Sequence, residues 1–178
     1  MFNLTAILRA RGAGSRGERR IHNQARALWE SVRNGHDVPL LSSFSIAKAN
    51  AISAHGFLLD VTFKGNPLVL IAGDVLWEEA GLAPVPTSLA KISARSLLGQ
   101  FADRWREAVL TREPMTSEYE FTTPEMYKVL CRGVLLPLST DGSTIDHVYG
   151  VVSWKSKKID SGQEAPAAKG RPIGTACV

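Results

Sequence analysis

The run in this chain most specifically spaced for chemistry is Gly12-Ala13-Gly14-Ser15-Arg16-Gly17. It matches G-x-G-x-x-G, follows the apolar stretch 4–8, precedes a helical pattern, and has Asp37 20 residues beyond its last glycine. In a dinucleotide site such glycines let the backbone and a helix N-terminus reach a pyrophosphate. The context argues against that chemistry. Arg9 and Arg11 interrupt what would have to be a buried strand, and no βαβ alternation follows.

Other reactive types are scattered. The four histidines, His22, His36, His55 and His147, show no metal-ligand spacing. His147 falls on a predicted strand, where a surface or interface role outweighs that of a haem or metal ligand. No G-x-S-x-G marks a nucleophile. Asp74, Glu78 and Glu79 share one short predicted helix and read as a solvated face, because catalytic carboxylates need surroundings that hold their pKa values apart. The two cysteines, Cys131 and Cys177, form neither a CxxC pair nor a C-terminal prenylation pattern, so a reduced cytoplasmic protein is the simplest account. No catalytic residue, metal site or cofactor is predicted.

The elements that would position any site are clearest between Tyr127 and Trp154. Two strands fold there about Asp141-Gly142, a favoured pair for a two-residue turn needing positive φ at both positions. If those two residues are the loop, Thr140 faces Ser143 and Gly133 faces Gly150. One hairpin face then carries Val129, Cys131, Gly133 and Leu135 with Val148, Gly150, Val152 and Trp154. The other carries Lys128, Leu130, Arg132, Val134 and Leu136 with His147, Tyr149, Val151, Ser153 and Lys155, a mixture suited to a surface or a partner. The glycine patch in the apolar face leaves room for either a core aromatic ring or a ligand.

Upstream, Ile21, Ala25, Leu28, Trp29 and Val32 form a helical stripe over 21–34, with Gly35 as a stop. A loop with Pro39 follows, then a short helix over 45–53. Residues 57–63 alternate as a strand, Gly65-Asn66-Pro67 turns the chain, and 68–72 returns. A helix over 75–80 stops at Gly81, and 82–88 is a Pro-interrupted connection. The clearest amphipathic segment, 94–111, places Leu97, Leu98, Phe101, Trp105, Ala108 and Val109 on one stripe, predicting a single long helix across the sheet. Residues 117–121 alternate as an edge strand. Trp29, Trp77, Trp105 and Trp154 each fall on an apolar face as core or interface anchors.

A chain of 178 residues is the size of one domain. Its divisions are a basic arm (1–20), a folded body (21–156) and a disordered tail (157–178). The net charge of +4 belongs to the arm, which holds five Arg against Glu18 and leaves 16 basic and 16 acidic residues elsewhere. The body therefore predicts no basic groove for nucleic acid. No apolar run approaches the ~20 residues of a membrane span, and the N-terminus is a poor secretory signal.

Helix, two strands, short helices, a long helix and three antiparallel strands is the order of the PAS fold. The stretches ALWESVRNGHDVPLLSSF, GFLLDV, LLPLSTDG and VYGVVSW resemble the short PAS-like proteins common in alphaproteobacteria, over about residues 25–156. That family's aromatic-Arg-x-x-Gly stretch reads here as Leu68-Val69-Leu70-Ile71-Ala72-Gly73, so no polar ligand contact carries over. The resemblance implies an α+β fold, an antiparallel sheet of about five strands with helices on one face and an extra N-terminal helix. It also implies a sensory or protein-interaction module in a signalling pathway. The residues predicted to line a pocket for a small apolar ligand are Leu59, Val61, Trp77, Phe101, Trp105, Cys131, Gly133, Gly150 and Val152. Trp29, Arg132, His147 and Tyr149 are predicted to meet a protein partner, with the Trp29 helix either packing on the sheet or mediating a homodimer. The alternative is a small α+β enzyme or small-molecule-binding protein with its pocket over the same sheet.

Overall fold

The computed structural model describes residues 18–44, 54–122 and 126–159. The Gly12 to Gly17 run, the helix predicted over 45–53 and everything after 159 lie outside the described residues. The class is α+β. Helix α1 (Glu18–Ser31) precedes strands β1 (Gly56–Asp60) and β2 (Leu68–Ala72), helix α2 (Asp74–Ala80), and the two-residue β3 (Thr87–Ser88). A 3-10 turn (Leu89–Lys91), helices α3 (Leu97–Ala102) and α4 (Trp105–Thr111), and strands β4 (Met115–Thr122), β5 (Tyr127–Ser139) and β6 (Ile145–Lys158) complete it. The strands form one sheet of order β3-β2-β1-β6-β5-β4, each neighbouring pair antiparallel. The sixth strand comes from the connection between two prolines and the 3-10 turn, too short to carry an alternation.

Three local readings are corrected. The single long helix over 94–111 is two helices with a break at Asp103-Arg104. The apolar stripe survives, since Leu97, Leu98, Phe101, Trp105 and Ala108 are all buried, and a break that leaves both halves facing the sheet does not disturb the period. The hairpin loop is wider than Asp141-Gly142. Cys131 pairs with Trp154, Gly133 with Val152 and Leu135 with Gly150, two residues away from the predicted register. The Asp141 carboxylate explains this, accepting the Ser143 N–H at 2.8 Å, the Thr144 N–H at 2.7 Å and the Ser139 hydroxyl at 2.9 Å. Such a side-chain turn competes with the two-residue one. A slip of two residues keeps every side chain on its face.

Third, the mixed face of the hairpin is largely covered. On the inner face, α2, α3 and α4 pack on Phe57, Leu59, Val61, Val69, Val129, Cys131, Leu135, Val148, Val152 and Trp154. On the outer face, Ala25 and Trp29 of α1, with Val38 and Phe44, bury Leu58, Val134, Leu136, Leu138, Ile145, Tyr149 and Val151 in a second core. The Trp29 indole N–H donates to the Pro137 carbonyl at 2.7 Å. Proline is tolerated in β5 at that point because β4 ends opposite Leu135, so no sheet donor is missed there.

Candidate functional site

On the inner face the predicted pocket residues do come together. Leu59, Val61, Trp77, Phe101, Trp105, Cys131 and Val152 belong to one buried cluster, and Gly133 and Gly150 lie beneath it. Rings occupy the space above the glycines. A Cβ on Gly133 would stand 2.3 Å from Phe101, and one on Gly150 would stand 2.1 Å from Phe57. Of the two occupants the patch allowed, it holds the aromatic ring. Phe57 is the residue missing from the predicted set; it pairs with Gly150 across β1 and β6, a contact that only the β1–β6 pairing brings about.

Polar chemistry on this face is sparse. Burial pushes the Cys131 thiol up to about 12, and its Sγ–H donates to the Tyr119 carbonyl at 3.4 Å, so it is a poor nucleophile. Asp74 and Glu78 are exposed as expected, but Glu79 is not part of a solvated face. It lies one turn from Leu76 on the buried side of α2, and its Oε2 accepts the Leu97 N–H at 2.8 Å. The spacing from Leu76 was the available signal; the destination of the carboxylate, the start of α3, was not.

The outer face beyond the N-terminal part of α1 carries an open groove of about 320 Å³, lined by His22, Glu118, Glu120, Leu130, Arg132, Ser153 and Lys155, and reaching Tyr119, Cys131 and Trp154, whose side chains pack in the inner core. Cross-strand pairing sets Glu118 beside Arg132 (2.6 Å) and Glu120 beside Lys128 (2.7 Å). His22 descends from α1 with its Nε2 2.8 Å from the Arg132 carbonyl and 3.2 Å from Ser153 Oγ. The carbonyl can only accept, so Nε2 carries the hydrogen and cannot also take a proton from Ser153. A Ser–His nucleophile is therefore not assembled. Burial, opposed by the Arg132 backbone hydrogen bond, lowers the His22 pKa from its ordinary 6.5. Its Nδ1 is buried without a hydrogen bond among the described residues.

The four residues predicted to meet a partner separate. Trp29 and Tyr149 are inside the second core, while Arg132 borders the groove. His147 stands further along β6, opposite Asp60 and Leu138, with Nδ1 2.7 Å from Asp146. Of the alternatives for the Trp29 helix, packing on the sheet is the one found.

No protein family and no curated protein matches the chain. Solved structures do. A LOV protein of Rhodobacter sphaeroides is 11% identical, with a TM-score of 0.38, over 76% of this chain and 67% of that one. A light-oxygen-voltage domain from work on a flavin analogue gives the same identity and TM-score, over 65% of this chain and 86% of that one. At 11% identity no residue's role is carried across from either. No helix among the described residues is long and apolar enough to cross a membrane.

Proposed function

We propose that this chain is a non-enzymatic PAS-like module of signal transduction that works as a homodimer, docking through the open strip of its outer sheet face. The observation that supports this most is the contrast between the two faces. The inner floor is closed by Phe57 and Phe101, whereas the strip beside α1 is open and striped in charge. β4 presents Glu118 and Glu120 in a row; Lys128, Arg132 and Lys155 run alongside on β5 and β6, with Leu130, 48% exposed, between them. A two-fold axis lying in this face along β5 brings the two Leu130 side chains together and sets Glu120 of each copy towards Lys155 of the other, since those two residues flank Leu130 on β4 and β6.

The pairs within the chain do not compete strongly, because exposed ion pairs contribute about 0–1 kcal/mol. Two carboxylates among three cations also make the strip a poor nucleic-acid groove. A reduced cytoplasmic setting fits the free, buried Cys131. A small apolar molecule enters this account only by displacing Phe101 or Phe57 from the glycines.

Sedimentation equilibrium tests the reading. The full chain is expected to dimerise, more weakly at raised salt, and Leu130→Asp to give monomer. Leu110→Asp, at the exposed surface of α4, is expected to leave the dimer intact. A wild type that stays monomeric at every concentration, or a dimer indifferent to Leu130→Asp, overturns it.

A further inference from the structure

Glu79 sits at the seam between α2 and α3, 1% exposed, among the residues of the inner core. Its Oε2 holds the Leu97 N–H, while its Oε1 is buried and makes no hydrogen bond among the described residues. The carboxyl thus joins two helices through one oxygen and leaves the other dry. As a carboxylate it bears a desolvation cost that the Leu97 N–H offsets only in part; as a neutral acid, with its proton on Oε1, it bears far less. Helix α3 carries Phe101, whose ring closes the space above Gly133. The hold on α3 therefore decides whether that space stays filled.

We infer that Glu79 is a proton-operated latch between α2 and α3. Neutral, it keeps the seam dry and Phe101 over Gly133. Ionised, it draws water to Oε1, loosens α3 and frees the ring from the glycine. The latch is independent of the proposed dimer, since it lies on the opposite face of the sheet from the docking strip.

Burial pushes the Glu79 carboxyl up to about 7, opposed by the Leu97 and Leu98 N–H groups. From β5 it is faced by the Cys131 thiol, which burial raises to about 12, so the thiol stays neutral over this range. On α2 itself Asp74 and Glu78 are exposed, as are Arg95 and Asp103 on either side of α3. On α4, Arg106 and Glu107 are exposed, and Arg104 is tied to Glu107 and Ser117. The folded value lies above the ordinary 4.5, so the stability that Glu79 contributes is complete below about 4.5 and lost as pH rises through about 7.

The test is a pH titration of the full chain, following isotope-labelled glutamate carboxyls by NMR and acrylamide quenching of tryptophan fluorescence. Trp77 and Trp105 stand in the same core and report water entry. One glutamate is expected to titrate near 7, with quenching rising over the same midpoint. Glu79→Gln, which keeps an acceptor for Leu97 and cannot ionise, is expected to abolish that rise. Should the variant not fold, coincidence of the two wild-type midpoints carries the same weight. No glutamate titrating near 7, a quenching midpoint apart from the carboxyl's, or an equal rise in Glu79→Gln overturns the latch.

Discussion

Gly133 and Gly150 are small because rings lie on them, and this makes them testable. An alanine methyl at either position would stand far inside van der Waals contact with ring carbon, at 2.3 Å from Phe101 or 2.1 Å from Phe57. Gly133→Ala and Gly150→Ala are each expected to destabilise by about 1–3 kcal/mol in urea unfolding, the range for an overpacked core. Combining Gly133→Ala with Phe101→Leu should recover part of that loss, a coupling that a double-mutant cycle reads directly. Glycine in a strand already signals a close approach in the sequence, so this feature was legible there. Glu79 was legible only in part: its spacing from Leu76 pointed to the buried side of α2, but a carboxylate beside Glu78 on a short helix looks like any solvated acidic pair, and its destination shows only in the Leu97 amide that it accepts.

Among the elements, α1 shows why a stripe can be read before its destination. Its apolar spacing fixes a helix with a buried face, but Trp29 fits a subunit interface as well as a core. The structure resolves this with two side-chain contacts seven positions apart, His22 on the Arg132 carbonyl and Trp29 on the Pro137 carbonyl, both reaching β5. Trp29→Phe, which keeps the ring but leaves the Pro137 carbonyl unpaired, is expected to cost about 1–3 kcal/mol. Trp29→Ala should cost about 3–5 kcal/mol in the same unfolding measurement, by emptying the second core. The hairpin teaches a related lesson. Alternation assigns faces and is blind to slips of two, so the faces were legible while the register was set by the carboxylate of Asp141.

For the whole molecule, the sheet separates two cores, and His22 on the outer face and Glu79 in the inner core respond to pH in opposite senses. The order of elements and the antiparallel class follow from the spacing of apolar residues. The coverage of both faces did not, because the residues of the outer face are mixed and only α1 makes them interior. On the acid side, His22 and His55 are both lowered from 6.5, first by burial. The stability from keeping them neutral is complete above about 6.5 and lost as pH falls through their folded values. His22→Gln is therefore expected to flatten the acid limb of a stability profile, while Glu79→Gln flattens the decline through about 7. Since the two substitutions act on opposite limbs and in separate cores, their effects should add.

Native mass spectrometry of the purified full chain reads the closed inner floor and the proposed docking of the outer face at once. The predicted result is a dimer of the 19.3 kDa polypeptide with no added mass. A monomer carrying a stoichiometric small molecule would contradict it, placing a ligand where Phe57 and Phe101 now close the floor.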